Sequence, residues 1–373
     1  MGINASTRTA IDDLNGWCER AMRRSKRQTD RHGGLVPIAE QALLDPTLFD
    51  EAWFPTELDH GCAADHWVFQ DRFSREQKNA WSHLVWLVEY MTVREGELQL
   101  LVLNNLAARR YADQLPAVVD LQERETEEER DHAESFRLLA EAAWAKHMLP
   151  GVPQPSTRTS GLASPGLNRI FRRVAGEVAD RLLGPNFPVF FFLIRGMKSH
   201  IFKPFEASLG RWDEGHPTVR RISVLHGQDE SRHIATAHYL ASRSTEALKA
   251  APIEHTRLLR LATRAAFPAG RMEGNRQTFW TTVLNHSRVF SNIPAEEREQ
   301  LLQHVLASHR ESFHELHHAN RAFIQRSNRK ILADCSFSDT AKTAIVDALR
   351  ADPATASLVD GLDLPWELQR TAS

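Results

Sequence analysis

The chain has 373 residues, 42% of them hydrophobic, enough for a large core and, at a typical domain length of roughly 150 residues, for about two domains. Lysine and arginine number 46 against 48 aspartate and glutamate, so the net charge of -2 excludes a global field that would recruit nucleic acid or an anionic membrane. The longest apolar run, Phe187 to Ile194, contains Pro188 and is far shorter than the roughly 18 residues a membrane span requires.

Polar residues such as Asn4, Asp12, Asp13 and Asn15 open the chain in place of a signal-peptide pattern, so a cytoplasmic location is expected. Cys18, Cys62 and Cys335 are too few and too widely spaced for a disulfide framework or a CxxC site. Residues 1–71 read as an N-terminal extension: a short basic helix with Arg20, Arg23, Arg24, Lys26 and Arg27, then irregular chain around Trp53, Phe54, Trp67 and Phe69. The basic run reads as a solvated helix face in preference to a phosphate-binding patch. Helical periodicity runs from Ser74 to Arg110 and from Pro116 to His147, with a connection short enough for an antiparallel hairpin. Residues Gly151 to Gly166 carry three prolines among Ser, Thr and Gly, a loop or crossover. Helices resume near Leu167, break at Gly184-Pro185, run from Pro188 to Leu209, and continue from Thr218 to Ser242. The class is all-α, and four long helices with a long central crossover match a ferritin-like four-helix bundle over residues 72–244. Residues 245–373 read as further helices packed on that bundle.

On the second long helix stands Glu129-x-x-His132, and on the fourth His226-x-x-x-Glu230-x-x-His233. Positions i and i+3 share a helix face, so each carboxylate and imidazole can bind one metal ion or bridge to a second. Val118, Gln122, Glu125, Glu129, His132 and Phe136 fall on one stripe of the second helix, and Ile222, His226, Glu230, His233 and Ala237 on one stripe of the fourth. Both pairs therefore point inward. A dinuclear carboxylate centre takes a Glu from each of two helices and a Glu-x-x-His from each of the other two. On the first helix the stripe Leu84, Val88, Met91, Glu95, Leu98 selects Glu95 over Glu97, which lies beside Trp86 and Tyr90. A buried carboxylate is costly unless paired or metal-bound.

With these residues the chain resembles the p-aminobenzoate N-oxygenase family of diiron proteins, whose helices carry Glu, then Glu-x-x-His, then Glu, then His-x-x-x-Glu-x-x-His. The resemblance spans roughly Trp81 to Leu240 and turns on His226, which common ferritin-like diiron proteins lack. It implies Glu95, Glu129, His132, His226, Glu230 and His233 as ligands of two Fe ions, with Mn as an alternative metal. It also implies that Asp229 supports His132 and Glu128 supports His233. The chain departs from the family at the third-helix Glu, which would fall near Ser199. His200 as a nitrogen ligand, Glu206 two turns on, or a site short of one bridging ligand are the options, the last including a degenerate or single-metal site.

His314-Glu315-Leu316-His317-His318 matches the zincin pattern H-E-x-x-H, yet after His318 no Glu occurs before Glu367 to complete a zinc site, so a zinc hydrolase using His314, Glu315 and His318 is a remote alternative. Nucleotide-binding and hydrolase-elbow patterns are absent from the sequence. Phe190-Phe191-Phe192 reads as core, with an aromatic pocket wall as the other option. The expected function is a non-haem diiron oxygenase that activates O2. The resemblance implies N-oxygenation of a small-molecule amine or aromatic substrate, with hydroxylation as the nearest variant. Electrons would come from an external electron donor, no nucleic acid or membrane is involved, and a homodimer is one option for the assembly. The alternative is a metal-poor accessory protein that kept the bundle and lost turnover.

Overall fold

A computed structural model describes residues 5–54, 73–155, 165–253, 256–266, 273–356 and 358–361. Cys62, Trp67, Phe69 and most of the 151–166 connection lie outside them. The described residues are all-helical, with a single isolated bridge between Met148 and Ser287. In chain order the helices are α1 (Ala5–His32), α2 (Val36–Leu43), α3 (Arg75–Arg109), α4 (Pro116–His147), α5 (Pro165–Leu183), α6 (Phe187–Arg211), α7 (Pro217–Ala247), α8 (Thr256–Ala266), α9 (Glu273–His286), α10 (Ala295–Asp334), α11 (Asp339–Arg350) and α12 (Pro353–Ala356).

Local chemistry sets the helix starts. Ser74 accepts from the Gln77 amide while the Gln77 side chain accepts from the Ser74 amide, a reciprocal cap that satisfies two orphan donors of α3. Ser74→Ala is expected to cost about 1 kcal/mol, read as an earlier loss of helicity in urea. Proline stands in the first turn of α4, α6 and α7, where its missing N–H costs nothing.

The two most intimate pairs are the hairpins α3/α4 and α6/α7. Gly227 allows the second to close, because a Cβ there would stand 3.1 Å from the Glu206 Cβ. The basic residues of α1 are exposed while Leu14, Cys18 and Ser25 are buried, and the helix lies on α4 and α7. Asp131 of α4 accepts from the Leu35 and Val36 amides, an anion at the N-terminus of α2.

Along α3, α4, α6 and α7 the buried side chains fall into three layers. One apolar cluster holds Leu106, Tyr111 and Val118 from the first hairpin with Phe187, Phe192, Leu240 and Ile331. Phe190, Phe191 and Phe192 belong to this core. The other holds Trp81, Trp86, Tyr90, Phe136 and Leu139 with Leu209 and Ile222. Between them lies a polar layer: Glu97 on α3, Gln122, Glu125, Glu129 and His132 on α4, Arg195 and Glu206 on α6, and His226, Glu230 and His233 on α7. No helix in the described residues is long and apolar enough to cross a membrane.

Candidate metal centre

Two groups of ligand atoms gather in this layer. Those of Glu97, His132, His226 and Glu230 lie within 4.8 Å of one another, and so do those of Glu129, Glu230 and His233, with Glu230 common to both. All six residues are buried.

Each imidazole is held from outside by a carboxylate, leaving its other nitrogen facing inward. Asp229 Oδ2 lies 3.1 Å from His132 Nε2, Glu206 Oε1 lies 2.9 Å from His226 Nδ1, and Glu128 Oε2 lies 2.9 Å from His233 Nε2. Such carboxylate contacts fix the tautomer and orientation of a metal-ligating ring. The outer carboxylates are anchored in turn. Glu128 accepts from Ser25 and Arg232, Asp229 from Gln28 and Arg232, and Glu206 from the Tyr90 hydroxyl at 3.2 Å. Asp229→Asn is therefore expected to weaken metal binding about 10–100-fold in a chelator competition assay, because His132 loses its orienting anion.

Inside, Glu97 Oε1 stands 3.4 Å from His226 Nε2, and Glu230 Oε1 stands 3.0 Å from His233 Nδ1. Glu97 Oε2, Glu129 Oε2 and His132 Nδ1 are buried without a hydrogen-bond partner, the ring nitrogen lying 3.8 Å and 3.7 Å from the two oxygens. Orphaned buried polar atoms are rare and each costs on the order of 1–3 kcal/mol. Two anionic oxygens and an imidazole nitrogen converging unpaired fit a cation among them. The cluster could hold a metal ion.

With no ion bound, protons carry the balancing charge. Burial works against charged rings here, but Glu206 and Glu97 push His226 up to about 9, and Glu128 and Glu230 do the same for His233. His132 is also raised against the effect of burial, by Asp229 and Glu97. Conversely Glu97 is held well below the usual carboxylate range, burial being outweighed by His132 and His226.

Glu95, preferred from the sequence, is not in the cluster. Its side chain is 24% exposed with Arg94 at 3.8 Å, whereas that of Glu97 is 6% exposed and faces His132 and His226. His200 turns away too, its Nδ1 lying 3.0 Å from Asn328 Oδ1 on α10. Glu206 stands behind His226 as its outer partner, not in either ligand group. The side chains of His314, Glu315 and His318 on α10 lie outside the described residues.

Two residues went unrecognised in sequence. Glu125 lies on the inward stripe, where periodicity gives it no role, and it accepts from Arg195 at 2.6 Å. Arg195 itself follows the longest apolar run of the chain, and a lone charge there was the available signal. Part of the histidine content is structural: His83 and His147 meet at 2.9 Å, and burial pushes them down to about 4 and about 3.

No family model matches the chain, and no curated protein or solved structure matches it.

Proposed function

We propose that this protein is a non-haem iron oxygenase whose iron is held by Glu97, His132, His226 and Glu230 between two hairpins arranged as in ferritin-like proteins. The observation that carries this reading is the convergence of unpaired Glu97, Glu129 and His132 atoms inside a ring of carboxylate-supported histidines. Two carboxylates and two neutral imidazoles balance a divalent ion and, being hard and borderline donors, suit iron or manganese. Ferrous iron held there would bind and activate O2, with an external reductant supplying the further electrons its reduction needs.

The protein's own groups do the rest. His132 and His226 must release their protons for the ion to bind, and the Asp229 and Glu206 carboxylates then accept the remaining ring N–H. Phe136 meets His226 and Tyr90 edge to face, with ring centroids 5.0 Å and 4.8 Å apart, so buried aromatic rings cover one side of the cluster. Tyr90 shares its hydroxyl between Glu206 and Ser223, which places an exchangeable proton two hydrogen bonds from the His226 ring. The resemblance to the N-oxygenase family directs the choice of substrate toward amines.

The test is oxygen uptake by the ferrous-loaded protein with an aryl amine and an external reductant. Uptake with appearance of an N-oxygenated product, lost in His132→Ala, is expected. A loaded protein that leaves O2 untouched would sink the oxygenase reading and return the chain to the metal-poor alternative, which one contact favours: the Arg195 guanidinium lies against Glu129.

A further inference from the structure

We infer that the Arg195 guanidinium takes the second cation position of this cluster, so that the protein holds one metal ion where its two Glu-x-x-His pairs would provide for two. The inference rests on the reading that Glu97, His132, His226 and Glu230 bind a metal.

Arg195 projects from α6 into the polar layer with a side chain 2% exposed. One terminal nitrogen, Nη1, lies 2.6 Å from Glu125 Oε2 and 3.3 Å from Asn104 Oδ1. The other, Nη2, lies 2.6 Å from Glu129 Oε1. That same oxygen is 3.2 Å from His233 Nδ1, so the carboxylate a second ion would need, beside the imidazole it would need, is already engaged by a cation. A guanidinium is a permanent, weakly hydrated charge whose planar fork matches paired carboxylates, which makes it suited to burial in such a place.

Local repulsion at an occupied ligand oxygen accounts for the exclusion. Glu97, Glu125, Glu129 and Glu230 are the four carboxylates facing this volume. One divalent ion with Arg195 leaves these four near -1 and a second ion would take them near +1, so position decides: the second ion would stand beside a guanidinium already seated on the Glu129 oxygen, bringing like charges within a few ångströms in a buried setting. The inference also accounts for α6 lacking a Glu near Ser199. One turn earlier the helix supplies a cation instead, and a bridging carboxylate has no second ion to bridge.

The experiment is an anaerobic titration of the full chain with ferrous iron, followed by desalting and metal analysis, for wild type and Arg195→Gln. One iron per chain in wild type and two in the variant are expected. Two in wild type, or one in both proteins, overturns the inference. No iron in wild type would instead overturn the metal reading on which it rests. A second measurement does not depend on the variant folding. Wild type loaded with excess Mn(II) and desalted is expected to show the EPR spectrum of an isolated ion, and the multiline spectrum of a coupled pair would refute the proposal.

Discussion

Replacing Glu97 with Gln is expected to weaken metal binding by two orders of magnitude or more, and replacing Glu95 with Gln to leave it unchanged. Glu97 sets one oxygen toward His226 and leaves the other unpartnered beside His132, both inside the cluster. Two unit charges at 4 Å interact by about 4 kcal/mol at an effective dielectric near 20, and a divalent ion doubles that. A neutral amide forfeits most of this, so a loss of about 3 kcal/mol, a hundredfold in affinity, is a conservative expectation. Glu95 lies two residues back on a part-exposed face beside Arg94, outside both ligand groups. Competition with a chromophoric chelator under argon measures both variants, and a loss confined to Glu95→Gln would reverse the assignment.

The metal-free protein is expected to lose a few kcal/mol of stability as pH rises from about 6.5 to 9.5, and the metal-loaded protein to lose less, because only His233 of these rings still titrates there. His226 and His233 titrate near 6.5 in the unfolded chain and at about 9 in the fold, because Glu206, Glu128, Glu230 and Glu97 hold the charged rings despite burial. Raised folded values mean that this stabilisation is complete below pH 6.5 and disappears as pH passes through 9. A shift from 6.5 to 9 corresponds to roughly 3 kcal/mol for one ring at 1.36 kcal/mol per unit. On the acid side the sign reverses. Glu97 and Glu128 are lowered, so their contribution is present above pH 4.5 and lost as pH falls. The metal-free protein should therefore be most stable between about pH 5 and 6.5. Bound metal takes the place of the protons on His132 and His226, so its affinity should climb with pH toward 9. Thermal melts of chelator-treated and loaded protein across pH 5–9.5 check this, and a metal-free midpoint that rises above pH 7 would contradict it.

Much of the architecture is legible in the sequence because proline and glycine mark its joints. Pro116, Gly184-Pro185 and Pro217 stand where α4, α6 and α7 begin, within a residue or two of the expected boundaries. The Glu-x-x-His pairs are legible for a related reason, since α4 and α7 each have a wet and a dry side on which stepping by three and four selects one face. On α3 the same reasoning fails. Every residue from Ala80 to Val88 is buried, so the apolar pattern has no solvent side there and cannot orient the stripe two turns later. Extrapolating it chose Glu95, whereas the face continued by Tyr90, Glu97 and Asn104 is the buried one. The roles of Glu206 and Arg195 are hidden because both are defined by partners distant in sequence, His226 across the α6/α7 hairpin and Glu125 and Glu129 on α4, where α6 meets the other hairpin. Periodicity reports which face a residue occupies, not which charge stands opposite.

The most direct test of the account is crystallographic: anomalous diffraction at the iron edge from protein loaded with ferrous iron under argon. A peak bounded by Glu97, His132, His226 and Glu230, with Arg195 still on Glu129, is the predicted result. A peak elsewhere, or a loaded crystal with none at these four side chains, would contradict the assignment of this cluster as the metal site.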